Sequence, residues 1–496
     1  MLHSNRYALS VLSYFVWAFL LIVLGSYLRR ELGLQTLVNA LAWGLLAASV
    51  INIGIVVLQF VGRTGGAIHF LPSLSSYGAL SQPNHFANFC ALAIASLIYL
   101  YAKGRFSPSL FSLLLVLMMF MLSFSGSRSA WLYLTAMTIL IAMMYSSTAK
   151  QGTVTDRIRH IWRAGLLLIP LFILVQFFIF FVIPNALVNL PTERLVDGVT
   201  AYTPSARLQF WYDSLRIFLQ SPWLGVGAGQ LFSHSFLLLD VPSAMDSKRA
   251  FEHAHNLFLH VLAEMGIGGF LIVAAGLFTW ARAFKWSDFN IEKWWLISLL
   301  SVIGIHSMLE YPLWLSFFLG IAAILFGAGS ENFITIGISA RANKFARSGL
   351  TALWLLGLVN ISTLLIANIK LDNWFQKMAY ENVSDLAQLS WAKRYSLLSP
   401  NADLMQAMSM DIRSMPIDEA ITVNQSAMQF NPVRRVIFQQ ALLLALQGKN
   451  TLAVKQMNRA LIAFPNGLEA VLKNTPPEYK KIYLDLQLET QSNIGK

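Results

Sequence analysis

Long apolar runs alternate with short polar connections through residues 1–369. A helix that crosses a bilayer needs about 20 apolar residues. Ten runs reach that scale: roughly 7–28, 34–60, 84–101, 109–127, 129–148, 164–184, 256–280, 294–310, 311–328 and 349–368. Eight hold no Asp, Glu, Lys or Arg, and the other two hold one carboxylate each, Glu264 and Glu310. Such continuous runs predict helices, because barrel strands would alternate apolar and polar positions.

Basic residues occupy every second connection: Arg29 and Arg30; Lys103 and Arg105; Lys150, Arg157, Arg159 and Arg163; Arg282, Lys285 and Lys293; then Arg341, Lys344 and Arg347. An excess of Lys and Arg marks cytoplasmic loops. The alternate short connections hold only Arg63 and Arg128. This pattern puts the long segment 185–255, the turn at Glu310 and the tail after residue 369 outside the cytoplasm. With ten spans the N-terminus lies outside too, whereas bacterial multispan proteins more often begin inside. Either one helix is miscounted or relatives carry a further helix upstream. The first run is too long for a signal peptide and lacks a small-residue cleavage site.

Beyond residue 369 charges return and apolar positions fall at helical spacing. Pro400, Pro432 and Pro465 recur at a period near 33, each in a similar short stretch. Between the last two, Phe438, Ala441, Leu442 and Ala445, then Ala453, Met457, Ala460 and Leu461, mark two amphipathic helices. Paired helices at this period suggest a tetratricopeptide-like module; an unrelated helical tail is the alternative. The expected fold is therefore all-α: a polytopic membrane bundle of about ten spans over residues 1–369, with a large outer loop at 185–255, and a soluble helical domain over 370–496.

Composition agrees with this reading. Hydrophobic residues make up 56% of the chain and charged residues 12%, about half the charged share of a soluble protein. The formal net charge of +12 reads as topology rather than as a nucleic-acid footprint, because many basic residues sit between apolar runs. The single cysteine, Cys90, lies inside an apolar run, so neither an intramolecular disulfide nor a multi-Cys metal site follows.

Polar residues near a bilayer are functional candidates, and here most gather at the expected outer ends. Glu252-His253-Ala254-His255-Asn256 precedes the seventh run. An imidazole titrates near working pH, about 6.5 unperturbed, and suits a general base. His-x-His also fits part of a metal site, and a helix-entry role is the structural alternative. Arg128 interrupts a tight apolar hairpin where Ser or Gly would sit more easily, with an interfacial anchor as the structural alternative. Arg207 and Arg216 lie in an amphipathic stretch whose Leu208, Trp211, Leu215 and Phe218 share a face, so this helix is expected along the membrane surface. Guanidinium groups bind phosphate oxygens in a fork and stay charged. Gly225, Gly227 and Gly229 lack the strand–turn–helix context of a nucleotide loop and read as a close-packed turn. Gln82 and Asn84 open the third run. His306 and Glu310 share a helix face just before Tyr311. Glu264 lies four residues after His260, where the two can satisfy each other.

Together, Gln82-Pro83-Asn84, Gly126 through Trp131, Ser205-Ala206-Arg207, Ser221 through Gly227, His253 through Asn256 and His306 through Leu313 resemble the bacterial O-antigen ligase and O-antigen polymerase superfamily. The last string, with the helical tail, is most similar to its protein O-oligosaccharyltransferase branch, the pilin-glycosylating enzymes. The resemblance covers about residues 77–328 in motifs and the remainder in layout. It departs at the N-terminus, where members usually have more membrane helices.

The resemblance implies a bacterial inner-membrane enzyme whose site and tail face the periplasm. The donor would be a glycan on undecaprenyl pyrophosphate and the acceptor a Ser or Thr hydroxyl of a pilin-like protein. His255 would be the base, and Arg128 and Arg207 would hold the pyrophosphate. Gln82 and Tyr311 would line the site, with Asn84, His253, Asn256, Arg216, His306 and Glu310 as further substrate-binding candidates. No metal, nucleotide or other cofactor is implied. Two other readings remain: a ligase or polymerase using lipid A core or a growing glycan as acceptor, and a transporter. A transporter would hold its polar groups near the bilayer midplane, often with repeats among its spans.

Overall fold

The computed structural model describes residues 2–61, 77–80, 82–182, 190–192, 204–240, 250–331, 340–378, 386–473 and 475–494. Arg63, much of the 185–255 segment and the Arg341 side chain lie outside the described residues. Among the described residues the regular structure is helical, without a strand. The first part comprises α1 (Leu2–Leu32), α2 (Leu34–Val61), α3 (Pro83–Ala102), α4 (Pro108–Phe124), α5 (Ser129–Lys150), α6 (Asp156–Val182), α7 (Pro204–Gln220), α8 (Leu231–Leu237), α9 (Leu257–Ala283), α10 (Ile291–Ser307), α11 (Ser316–Gly329) and α12 (Ala340–Gln376).

Each of the ten expected runs contains a helix, although the eighth ends at Ser307 and the ninth begins at Ser316, and length and apolarity suffice for a crossing in seven helices among the described residues: α1, α2, α3, α5, α6, α9 and α12. The apolar α4 and α11 are shorter. α10 has 17 residues, with Glu292 and Lys293 in its first turn. The chain is a multi-pass membrane protein.

The bundle is organised around α3, which is buried along nearly its whole length and packs against α2, α4, α5 and α10. Its start is locally encoded: Gln82 caps it by accepting from the His85 amide at 2.7 Å, and Pro83 occupies the first turn. Trp294 and Trp295 of α10 are fully buried, and Trp295 Nε1 donates to Ser96 Oγ of α3 at 3.1 Å. Outward-facing apolar side chains cover α6 and α12, including Leu174, Phe178, Leu356 and Val359, as lipid-facing helices require.

Several basic connections meet at one end of the bundle. Glu331 takes Arg29 at 3.3 Å, Lys285 at 3.2 Å and Lys293 at 2.8 Å. These cations outweigh the opposing effect of burial and hold the Glu331 carboxyl below its usual range. Lys103 pairs with Glu292, and Arg157 donates to the Tyr101 carbonyl at 3.0 Å. The alternation of basic loops in the sequence thus corresponds to a physical end. Glu310 lies beyond the other end of α10.

The glycine-rich turn closes a break in α9. At Gly266 the backbone leaves the helix, with φ 64° and ψ −167°. Segment 222–227 supplies the missing hydrogen bonds: Val226 N–H donates to the Ala263 carbonyl at 3.0 Å, and Gly227 N–H to the Glu264 carbonyl at 2.9 Å. In return, Ile267 N–H donates to the Pro222 carbonyl at 2.8 Å. Glu264 adds its side chain, accepting from the amides of Gly229 at 2.7 Å and Leu231 at 3.0 Å. The expected His260–Glu264 pair is present at 3.2 Å, but the carboxylate chiefly anchors this turn. Gly225 has φ 69°, and a Cβ there would lie 2.2 Å from the Glu264 carbonyl carbon. Left-handed backbone plus this clash makes Gly225→Ala destabilising by about 2 kcal/mol or more. A lowered thermal midpoint in detergent is expected, whereas Gly276→Ala, which meets open space, leaves it unchanged. Equal midpoints would remove the structural role of the wedge.

The tail contains α13 (Leu386–Tyr395), α14 (Ser399–Ser409), α15 (Ile417–Phe430), α16 (Arg434–Leu446), α17 (Asn450–Ala463), α18 (Gly467–Lys473) and α19 (Pro477–Ile494). Pro400 lies in the first turn of α14, while Pro432 and Pro465 lie just before α16 and α18. Phe438, Ala441 and Leu442 of α16 and Ala453, Met457 and Ala460 of α17 form one core. The expected 369/370 boundary falls inside α12, whose Leu371 and Trp374 pack with Leu389 and Ala392 of the tail. Phe236 and Leu239, from the 185–255 segment, join the tail core. Asp240 secures this contact with Arg459 at 2.9 Å and Lys455 at 3.4 Å.

Candidate active site

Three separated segments converge on Glu310. The carboxylate is only 6% exposed. Oε1 accepts from Asn84 Nδ2 at 2.7 Å and from Arg207 Nη2 at 3.2 Å. Oε2 lies 2.9 Å from His255 Nδ1. A carboxylate is an acceptor, so this bond assigns the proton to Nδ1 and leaves Nε2 with the lone pair. Asn84 is itself oriented, since its Oδ1 accepts from Ser127 Oγ at 2.7 Å. Both Glu310 oxygens are thereby satisfied, as a buried carboxylate requires.

His255 reaches this position through an unusual backbone. Its φ is 51°, the only positive φ on a non-glycine residue among the described residues. Such a conformation costs roughly 1–3 kcal/mol and persists where the surroundings enforce it. Asn256 then returns to extended backbone and caps α9, accepting from the Phe258 and Leu259 amides. The cap anchors one side of His255 and Glu310 the other, while Phe210 stacks on the ring at 5.8 Å. Arg207, one helical turn before Phe210, keeps its side chain 37% exposed, with one nitrogen on Glu310. The remainder of the guanidinium makes no other bond among the described residues and is available to an anion.

The aromatic wall beside this cluster is built from imidazoles and Tyr311. His253 stacks on Tyr311 at 4.0 Å, and His85 and His255 approach the same ring edge-on at 5.4 and 5.8 Å. Burial pushes His253 down to about 3, with the neighbouring His260, His255 and His85 adding to the effect. His253 is thus a weak base and serves as a neutral surface.

The remaining candidates divide. Arg128 stands half-buried at the start of α5, directly after Ser127. His306 is fully buried behind the cluster, with Nδ1 2.7 Å from the Tyr133 hydroxyl, so it supports rather than faces the opening. Gln82 and Asn256 use their side-chain oxygens as helix caps. Arg216 pairs with Asp213 at 3.5 Å; nine residues from Arg207 in an α-helix amount to two and a half turns, so it points the opposite way. Exposed Leu208, Leu215 and Leu219 of α7 fit a membrane-surface helix. Ser127, Phe210 and Tyr133 were not singled out from sequence. The i,i+3 relation of Arg207 and Phe210 was the available signal for one of them.

Residues 113–274 match the family described as O-antigen ligase. Residues 294–475 match that described as virulence factor membrane-bound polymerase, C-terminal. Over these two segments the chain is similar to O-antigen ligases and to membrane-bound polymerases. The first match contains Ser127, Arg128, Arg207 and His255, and the second contains Glu310 and Tyr311, so the His255–Glu310 bond joins the two matched regions. Two curated relatives from Acinetobacter baylyi carry the O-oligosaccharyltransferase name of the branch the sequence resembles. A ComP-specific O-oligosaccharyltransferase is 24% identical over 66% of this chain and 57% of its own length. A general O-oligosaccharyltransferase is 24% identical over 51% and 43% respectively. The chain spans about half the length of these relatives.

Proposed function

We propose that this chain carries the catalytic centre of an O-oligosaccharyltransferase of the bacterial inner membrane. The observation that carries the reading is one buried carboxylate, Glu310, bonded to both an imidazole and a guanidinium. His255 Nε2 accepts the proton of a Ser or Thr hydroxyl while that oxygen attacks the first carbon of a glycan on undecaprenyl pyrophosphate. The new bond joins that carbon to the acceptor oxygen; the bond to the phosphate oxygen breaks, and the lipid pyrophosphate departs. Negative charge develops on the leaving group, where Arg207 and Arg128 stabilise it. Preorganised charge of this kind is worth several kcal/mol in a site with little water. Tyr311 and His253 form a wall for the sugar. In this reading ten helices cross the membrane, and the site and tetratricopeptide-like tail face the periplasm.

The leaving group is already activated, so the arrangement needs no divalent ion. Among the described residues no group of three His, Cys, Asp or Glu has metal-holding geometry. Purified protein given a lipid-linked glycan and an acceptor polypeptide is expected to keep its transfer rate in excess EDTA. A rate that collapses and returns with added Mg²⁺ or Mn²⁺ would overturn the arginine-based account.

A further inference from the structure

We propose that a pocket in the tail binds an acidic segment of the acceptor polypeptide and delivers the neighbouring hydroxyl to His255. This rests on the transfer reading above. The pocket has a volume of about 590 Å³ and lies between α14, α16, α18 and α19. Its apolar floor includes Ile412, Leu442 and Val471. Arg434 and Arg435 stand at its rim, exposed, with no carboxylate in ion-pairing range among the described residues. The third arginine there behaves differently: Arg413 Nε lies 3.0 Å from Asp411 Oδ1, so its charge is already answered.

Arg434 is also partly preorganised. Its Cδ lies 3.1 Å from the place a Cβ would take on Gly467, so the α18 backbone packs against its stem. A rim with two unanswered guanidinium groups over an apolar floor fits a carboxylate beside an apolar side chain. A polypeptide supplies that pair within adjacent residues.

The pocket's position links it to the chemistry. Asn431, three residues before Arg434, donates to Glu252 Oε1 at 3.3 Å. Glu252 is three residues before His255 in the same loop. The segment that leads into the pocket rim therefore touches the catalytic loop. Extended chain advances about 3.3 Å per residue, so a short stretch of bound acceptor crosses from one to the other.

The test uses the full chain in detergent and two fluorescein-labelled peptides, one alternating Asp and Leu and the other Asn and Leu. Anisotropy should show the Asp peptide binding about tenfold more tightly, with the preference fading as salt screens it. The paired change Arg434→Gln and Arg435→Gln should abolish the preference, and Lys at both positions should restore most of it. Equal affinity for the two peptides overturns the proposal, as does an Asp preference that survives the Gln pair or ignores salt. Displacement of the Asp peptide by oligogalacturonate at lower concentration than by unlabelled peptide also overturns it, in favour of an anionic glycan. Binding is read without turnover, so failure here leaves the His255 and Glu310 reading intact. Conversely, a His255→Ala variant that stays active while the peptide preference holds would sink that reading alone.

Discussion

Replacing His255 with alanine is expected to lower transfer by about 10³-fold while the protein still inserts and purifies normally. A positioned general base contributes roughly 10²–10⁴, and no other imidazole near Glu310 can substitute. His253 is pushed down to about 3 by burial and its histidine neighbours, so it holds a proton too weakly. His306 is sealed in the bundle against Tyr133, and His85 is buried edge-on against Tyr311. The side chain removed makes one bond, to Glu310, a stacking contact with Phe210 and an edge-on contact with Tyr311. Its loss also relieves nothing in the Asn256 cap, so the start of α9 should persist. The assay is the single-turnover rate with donor bound, with the thermal midpoint measured in parallel. A variant within a few-fold of the unaltered rate would remove His255 from the reaction.

The second large effect is expected for Glu310→Gln. This change keeps the shape and leaves a carbonyl oxygen for Asn84 and Arg207. It replaces the oxygen facing His255 Nδ1 with an amide donor, and two donors cannot face each other. The imidazole answers by moving its proton to Nε2, the nitrogen that must accept. The corresponding carboxylate-to-amide change in a Ser-His-Asp triad costs about 10⁴ in kcat. Here a loss of roughly 10²–10³ in kcat is expected, with KM for the donor changing less. Glu310→Asp should recover part of the rate, since it restores an acceptor at a longer reach. A purely packing role predicts the reverse: Gln harmless and Asp damaging.

Much of the bundle was legible because the bilayer simplifies the code. Each expected apolar run contains a helix, and cations from two of the five basic connections, Arg29 with Lys285 and Lys293, meet at Glu331. The three prolines precede or open helices of the tail. What sequence could not show was coupling across distance. The sequence places Glu310 on a helix face with His306, but α10 ends at Ser307, and the bonds of Glu310 run to α3, α7 and the His255 loop, which periodicity along one helix cannot reveal. The wedge of segment 222–227 into α9 was visible only as a close-packed turn. Its purpose depends on a helix broken forty residues away in sequence, at Gly266. Two roles were readable in local terms. Asn256 immediately before an apolar run is an N-cap signal, and the two and a half turns between Arg207 and Arg216 separate them on any helix.

The central claim is that the His255–Glu310–Arg207 cluster moves a glycan from a lipid pyrophosphate to a protein hydroxyl. Intact-mass measurement of a pilin-like acceptor, co-expressed with this chain and a lipid-linked glycan pathway, tests it most directly. The account predicts a mass increase of one glycan with the unaltered chain and none with His255→Ala. An unmodified acceptor alongside glycan on lipid A core, or equal modification by both chains, would contradict it.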